Sequence, residues 1–388
     1  MSLVNVETIL SLSERRGLSP RDLARRAELD DADLREIFAN PDEAKIGTIK
    51  NLADALGVNE YVLYAPAATV GISSLPDFRK ADAPMAELAS VTYKIIDTAK
   101  TIRDSVSQLV PGFGTSELRN ISANLDPARA ASEARSVLGI SFDQQIEARS
   151  TSVFYAQVRQ AVENDQIIVM HESYPSEDGS GFSLSDGPSP ALVVINTKSQ
   201  TPGRRLFTLC HELYHVIRGD SGVSSVFSKA PVEKLCDKFA ENLLLPEEDL
   251  RAYLKQNYSR VADYFPLIQR IANRLKISQQ ALAYRIDKLK IQSGLYGRWS
   301  AIFSGNKNPD VITSGGGGGV RDENKIKLSR YGFAFAEVMS EALRRGAITY
   351  YGLYELSGLK RDFADSYFGY AKSLAHSRLE QDVLGDEA

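Results

Sequence analysis

Apolar residues within positions 1–64 recur at helical spacing and are separated by short polar turns. Ser19-Pro20 predicts a helix start, because serine caps a helix and proline fits its first position. We predict helices over 19–27, 30–38 and 48–56. The apolar positions behind this prediction are Leu23, Ala24, Ala27, Leu34, Ile37, Ile49, Leu52, Ala53 and Leu56. The pattern predicts a small helical domain over residues 1–66.

The next segments predict a linker and then a long helix. Residues 67–84 are rich in Pro, Ala and Ser, which is typical of a linker. A helix is predicted over residues 85–110. Its apolar residues recur every seven positions, at Leu88, Ile95, Ile102 and Leu109. Such a narrow stripe indicates a helix–helix seam, either within the chain or between the two copies of a homodimer.

Helices then alternate with short strands. Predicted helices begin at Asp126-Pro127 and near Thr151, and a β-branched run over 166–170 follows the second of them. Residues 191–197 read Ala-Leu-Val-Val-Ile-Asn-Thr, a continuous apolar run that predicts a buried strand. We therefore expect an α+β fold class: a mostly helical, multi-domain chain with a small β-sheet.

The last part of the chain predicts a linker and a small helical domain. Residues 301–326 contain Ser314 followed by five glycines, and no Gly-Lys-Ser/Thr follows, so a flexible linker is favoured over a phosphate-binding loop. Residues 327–388 contain a cluster of aromatic residues and predict a C-terminal helical domain for sensing or partner docking.

Composition narrows the functional class. A length of 388 residues predicts two or three domains, and the net charge of −4 provides no general attraction to nucleic acid or anionic membranes. The sequence contains no long apolar run and no secretory signal, so we expect a cytoplasmic protein without membrane association. Cys210 and Cys236 are too few for a disulfide framework and are expected to be small buried apolar residues. The alternative is a redox or metal-exchange role, because thiolates bind zinc well and the two cysteines lie near residues 211 and 233.

Residues 211–215, His-Glu-Leu-Tyr-His, carry the strongest chemical signal. Histidines four apart on a helix point from one face, so His211 and His215 can reach one metal ion. Glu212 can then reach a water beside that ion. Thr201-Pro202 and Gly219 punctuate the start and end of the predicted helix. The chain has only four histidines, so a chance match is rare.

A third metal ligand is expected on the following helix, which is predicted from Pro231 to just before Pro246. Glu233, Asp237 and Glu241 are spaced by four and line one stripe of it. We predict Glu233 as the third ligand, with Glu241 as the alternative, and Asp237 as the carboxylate that orients a ligand histidine. A merely solvated acidic face is the competing interpretation.

This arrangement predicts hydrolysis of a peptide bond. Glu212 would act as the general base and pass the proton to the leaving nitrogen. The strand over 191–197 is the predicted edge with which an extended substrate pairs. Three further residues are candidate donors to the oxyanion, and the sequence does not choose among them: Tyr214, Tyr284 and Arg285.

Residues 205–215, Arg-Leu-Phe-Thr-Leu-Cys-His-Glu-Leu-Tyr-His, and 232–246 resemble the ImmA/IrrE family of metallopeptidases. The spacing from the histidine motif to Glu-xxx-Asp also resembles thermolysin-like gluzincins. The resemblance implies a gluzincin-like zinc metallopeptidase domain over residues 85–300, with Mn²⁺ as the alternative ion. It further implies a cytoplasmic protease whose partner substrate is a small DNA-binding repressor, cleaved to derepress stress, mobile-element or prophage genes. Tyr214 departs from the small residue usual at its position.

The N-terminal domain resembles XRE- or Cro-type helix-turn-helix domains, and Leu75-Pro-Asp-Phe-Arg79 resembles longer family members that carry such a domain. DNA is therefore an alternative partner, although no DNA-binding residue can be assigned. Residues 1–66 contain eight Lys or Arg against twelve Asp or Glu, and acidic residues dominate the presumed recognition helix over 30–38, which disfavours phosphate contact. The alternative functions are an XRE-type transcriptional regulator, or an antitoxin-like binding protein with the peptidase domain as sensor or scaffold.

Overall fold

The computed structural model describes residues 4–67, 88–224, 231–303 and 322–385. Within these ranges the chain is mostly helical and contains one four-stranded sheet, which confirms the α+β fold class. Most of the two predicted linkers lies outside the described residues, as do Leu75–Arg79 and the glycine run after Ser314. None of the described helices combines the length and the apolar character that crossing a membrane requires.

Four helices form an N-terminal bundle: α1 (Val6–Arg15), α2 (Pro20–Arg26), α3 (Asp31–Ala39) and α4 (Ile46–Leu56). Ser19 and Asp30 cap α2 and α3 by accepting from backbone N–H groups, as their residue types favour. The predicted helices of this region are thus confirmed. Among the described residues, the buried apolar core of the bundle lies between Val4 and Leu63, separate from the other cores.

The sheet contains β1 (Ile168–Glu172), β2 (Gly181–Leu184), β3 (Leu192–Asn196) and β4 (Gly222–Ser224), in the order β1-β3-β2-β4. β3 is parallel to β1 and antiparallel to β2, and β2 is antiparallel to β4. The prediction that the strand over 191–197 is an edge for substrate pairing is therefore wrong. Its hydrogen-bonding groups are occupied by β1 and β2, and its continuous apolar run reflects burial on both faces.

Alternate residues of the sheet enter two different apolar cores, as the strand period of two requires. Val169, Val193 and Ile195 face the core of the metal-motif region. Ile168, Met170 and Val194 face a second core, which α5 (Ser90–Leu109) shares with the C-terminal helices. Those helices are α15 (Glu323–Arg344), α16 (Tyr350–Ser357) and α17 (Arg361–Gly385). The sheet is therefore covered by helices on both faces.

On the first face of the sheet, α8 (Thr151–Asn164) and α9 (Pro202–Arg218) contact the strands. The remaining helices belong to the same core or pack against it: α6 (Pro127–Val137), α7 (Phe142–Glu147), α10 (Pro231–Leu244), α11 (Glu247–Tyr258), α12 (Ile268–Arg274), α13 (Gln279–Lys288) and α14 (Leu295–Phe303). On the opposite face, Leu88 and Ile102 from the seven-residue stripe are buried in contacts within the chain. Intrachain packing therefore accounts for these two stripe positions. The homodimer and the domain boundaries stay predictions.

Candidate metal centre

Helix α9 presents the histidine motif, and its ends match the sequence prediction. Thr201 accepts a hydrogen bond from the backbone N–H of Arg204, and Gly219 ends the helix at a φ of +69°, where glycine is favoured. Leu209, Leu213 and Val216 of α9 belong to the first apolar core. His211, Glu212 and His215 are all fully buried, at 0% exposure, so the motif lies inside the protein.

Glu233 on α10 lies between the two imidazoles. Its Oε1 is 3.1 Å from Nε2 of His215, and its Oε2 is 3.3 Å from Nε2 of His211. Two donors on one tetrahedral zinc ion, each at about 2.0–2.1 Å, lie roughly 3.3 Å apart. Nε2 of His211 is buried, and its neighbour in this cluster is Oε2 of Glu233. The donor set therefore fits a metal ion, although Glu233 as its ligand stays a prediction.

Asp237 contacts the other side of His211. Its Oδ1 lies 2.9 Å from Nδ1 of His211, the relation expected of a carboxylate that orients a ligand histidine. Burial by itself would lower the pKa of His211, but hydrogen bonds to Asp237 and Glu233 raise it to about 10. A bound ion needs a neutral imidazole, so metal binding would release a proton here.

Cys236 also reaches this cluster, which favours the alternative of a metal role over a purely apolar one. It is buried as expected, but its Sγ lies 3.3 Å from Nε2 of His215. His211, His215 and Cys236 each offer a donor atom within 4.8 Å of the others. Burial, reinforced by the charge of Glu233, raises the pKa of the Cys236 thiol well above its usual value. Its position three residues after Glu233, on the same side of a helix, was the available sequence signal.

Glu212 lies against the sheet. A Cβ at Gly181 of β2 would come within 3.1 Å of Oε1 of Glu212 and 2.9 Å of the Val194 carbonyl oxygen. A side chain on this strand would therefore crowd the carboxylate of the predicted general base. The role of Gly181 is one that the sequence analysis missed, because only the tertiary fold brings β2 to α9.

Of the three candidate oxyanion donors, Tyr214 lies apart from Tyr284 and Arg285, which line one cavity. Tyr214 stacks on Phe239 and donates from its hydroxyl to the Leu125 carbonyl at 3.5 Å, so its polar end points at that loop. Tyr284 is 39% exposed and lines a cavity. Arg285 donates a hydrogen bond to the carbonyl oxygen of Leu245, the residue that follows the end of α10. The structure does not bring the three side chains to one point.

Glu241, the alternative ligand, lies farther along α10 than Glu233 and Asp237. Its Oε2 accepts from Nζ of Lys288 at 2.8 Å and lies 3.7 Å from the guanidinium of Arg285. These contacts pair Glu241 with the basic side chains of α13. They give it a structural role that does not require a metal.

A cavity of about 720 Å³ opens beside the candidate metal cluster, by which we mean His211, His215, Glu233 and Cys236. Asp237 forms part of its wall and joins it to His211. The other walls come from the loop before β2, the loop between β3 and α9, the first turns of α9, one side of α10, and α13. The cavity is thus a candidate binding cleft that extends to Asp237, which contacts the predicted metal ligand His211.

The comparisons with known proteins agree with this site. Residues 162–287 match the IrrE N-terminal-like domain family, Peptidase_M78. The match runs from the end of α8 to α13 and includes the sheet, both site helices and most of the cavity walls. No curated protein and no solved structure matches the chain. The match supports a metallopeptidase domain and, with the buried cluster, a bound metal ion.

Proposed function

We propose that this protein is a zinc-dependent endopeptidase that cleaves a partner transcriptional repressor in the cytoplasm. The observation that carries the proposal is the buried convergence of His211, His215 and Glu233, with Glu212 on the same helix. Two imidazoles and one carboxylate are a ligand set of catalytic zinc sites, which leave a fourth position open. The matched peptidase family over residues 162–287 supports the same chemistry.

Zinc bound at this site would supply a Lewis acid that polarises the scissile carbonyl and lowers the pKa of water. His211, His215 and Glu233 would hold it, and Asp237 would fix the ring of His211 through Nδ1. Glu212 would accept a proton from the attacking water and deliver it to the leaving amine nitrogen. Burial of Glu212 against β2 limits its motion, which suits a base that must stay aligned.

The test of catalysis is a Glu212→Gln variant. We expect zinc content equal to that of the unchanged protein and peptide hydrolysis reduced by at least about a hundredfold, because general acid–base catalysis contributes on that scale. Metal analysis and a quenched peptide library provide the two measurements. Hydrolysis that survives both the substitution and a chelator would contradict the proposal.

The repressor as substrate rests on the resemblance to ImmA/IrrE peptidases. A small DNA-binding protein encoded beside this one is the substrate to test. Incubation with the protein, with and without a chelator, should show one or a few cleavage sites that the chelator abolishes. A repressor that stays intact while generic peptides are hydrolysed would overturn this substrate but not the peptidase activity.

The alternative is a binding protein that acts through its N-terminal bundle. The separate core of that bundle and the exposed outer face of α3 favour a docking role. That face is acidic, with Asp31, Asp33 and Glu36, so a protein partner fits better than DNA. A salt-dependent mobility shift on DNA would support the transcriptional regulator. Biological activity that persists in Glu212→Gln would favour the antitoxin-like or scaffold reading.

A further inference from the structure

The cavity beside the metal cluster is positively charged, whereas the chain as a whole has a net charge of −4. Among the residues that the structure describes, two carboxylates line it, Asp237 and Glu241. Five basic residues line it: Lys198, Arg204, Lys234, Arg285 and Lys288. A cleft lined mainly by one sign of charge, with low-dielectric walls, concentrates ligands of the opposite sign.

Some charged side chains of the cleft form ion pairs, and others do not. Asp237 contacts His211, and Glu241 contacts Lys288 and Arg285, so both carboxylates already have partners. Three basic side chains, by contrast, make no ion pair or side-chain hydrogen bond in the part of the chain that the structure describes: Lys198, Arg204 and Lys234.

These three residues come from three different elements. Lys198 follows β3, Arg204 lies in the first turn of α9, and Lys234 lies in the first turn of α10. All three line one cavity, so the tertiary fold gathers basic groups that are distant along the chain. A solvated charge run on one helix does not have this arrangement.

Part of the cavity lining is apolar. Residues that contribute are Phe207, Leu244, Leu245, Ile277, Ala281 and Tyr296. A ligand with only charged groups would leave these apolar surfaces exposed to water. The lining therefore fits a peptide segment with both acidic and apolar side chains.

We infer that this cleft binds an acidic, extended segment of the protein substrate and leads its backbone toward the metal cluster. The inference rests on the proposed peptidase function and specifies its substrate class. Acidic side chains would pair with Lys198, Arg204 and Lys234, while apolar side chains pack near Phe207 and Tyr296. Asp237 marks the end of the cleft that adjoins His211.

Binding can be tested apart from catalysis in the zinc-loaded Glu212→Gln protein. The probes are short fluorescent peptides with the same apolar residues and either glutamate, glutamine or lysine at the remaining positions. We expect the glutamate peptide to bind about tenfold more tightly than the glutamine peptide, and the difference to shrink as salt is added. Equal binding of the two peptides would overturn the inference.

Arg204→Glu reverses one cleft charge and suits the start of α9, where a carboxylate is favourable. Lys360→Glu is the matched control, because Lys360 is exposed just before α17 and does not line the cleft. The cleft variant should lose most of the preference for the glutamate peptide, and the control should keep it. Equal loss in both variants would indicate a general charge effect and contradict the inference.

The two hypotheses fail separately. In the active protein, hydrolysis of all peptides at equal rates would leave the peptidase intact and remove the acidic preference. Charge-selective binding without hydrolysis would leave the acidic docking site and remove the peptidase.

Discussion

At the scale of single residues, α10 offers two different atoms to the ion. Glu233 contacts both histidines through separate oxygens, whereas Cys236 approaches His215 alone. Zinc binds either a carboxylate or a thiolate. The carboxylate is favoured here because Glu233 bridges the pair and its pKa is lowered: burial opposes this, but hydrogen bonds from His211 and His215 outweigh it.

The ligand assignment predicts different outcomes for the two residues. Glu233→Ala should weaken zinc binding by more than about a hundredfold, because loss of a ligand exceeds the cost of losing an orienting group. Cys236→Ala should retain zinc. Metal content after competition with a chelator measures both. The reverse result would transfer the third ligand position to the sulfur of Cys236.

The buried side chain of His171 should make the folded protein less stable in acid. Burial, with a contribution from nearby Arg159, lowers the pKa of His171 to about 2, whereas an unfolded histidine has a pKa near 6.5. Its surroundings also include the Tyr155 hydroxyl, 2.5 Å from Nε2, and the Ser329 hydroxyl, 3.4 Å from Nδ1. Below pH 6.5 the unfolded chain therefore binds the proton and the folded chain does not.

The contribution of His171 is present above pH 6.5 and is lost progressively down to about pH 2. The free energy of unfolding should fall by about 1.4 kcal/mol per pH unit from this residue alone once the pH is well below 6.5. Glu163, whose pKa is raised by burial, acts in the opposite direction. The measurement is therefore the difference between His171→Asn and the unchanged protein in urea unfolding at several pH values. A constant difference from pH 7 to pH 5 would contradict the assignment.

At the scale of elements, side chains of α8 bind the backbone of α15 at the point where that helix is interrupted. The φ of +80° and ψ of −177° at Gly332 interrupt the helix, and the backbone N–H of Phe333 donates to Oε2 of Glu163 at 3.0 Å. Arg159 pairs with the other oxygen of Glu163 at 3.3 Å and donates to the Ser329 carbonyl at 2.7 Å. A buried ion pair of α8 therefore satisfies backbone groups of α15 that the break leaves open.

Gly332→Ala should be strongly destabilising. The new Cβ would lie 1.7 Å from Oε1 of Glu163, in a backbone conformation that L residues rarely adopt. We expect a loss of roughly 2–4 kcal/mol in the free energy of unfolding. Gly346→Ala is the control, because Gly346 has a φ of +69° and no atom within 4 Å of its added Cβ. Similar costs at the two positions would show that the contact with Glu163 is unimportant.

At the scale of the whole molecule, the three apolar cores formed by the described residues differ in how independent they are. The N-terminal bundle contains its own core, whereas the C-terminal helices share theirs with α5 and one face of the sheet. The same strands contribute alternate residues to the core that contains the metal motif. Separation of the C-terminal helices would thus expose the sheet that supports the site.

Truncation at the two ends should therefore have different effects. A chain without residues 1–67 should fold and bind zinc, although it loses the contacts of the bundle to α5 and to the residues just before it. The 3.4 Å pair of Arg16 and Asp97 is one of these contacts. A chain that ends at residue 303 should bind a hydrophobic dye and lose zinc, because its sheet is uncovered. Circular dichroism, dye fluorescence and metal content measure this. A stable, zinc-loaded chain ending at 303 would show that the C-terminal helices are a separate domain.

The sequence by itself determined the local features of the site. Helical periodicity, the capping residues Thr201 and Gly219, and the spacing of His211 and His215 act within one helix, so they can be read along the chain. The spacing of Glu233 and Asp237 likewise predicted which side chains point from one face of α10. Family resemblance and local pattern reached the same residues because both depend on neighbours in the sequence.

Only the tertiary structure decided which distant residues meet. The apolar run of β3 is equally compatible with an edge and an interior strand, and pairing with β1 and β2 made it interior. The approach of Cys236 to His215, and of Gly181 to Glu212, depends on how helices and strands pack. The basic cleft is likewise assembled from separate elements. The type and local spacing of side chains are given by the sequence. Which elements lie next to each other is decided by how their apolar faces are buried together.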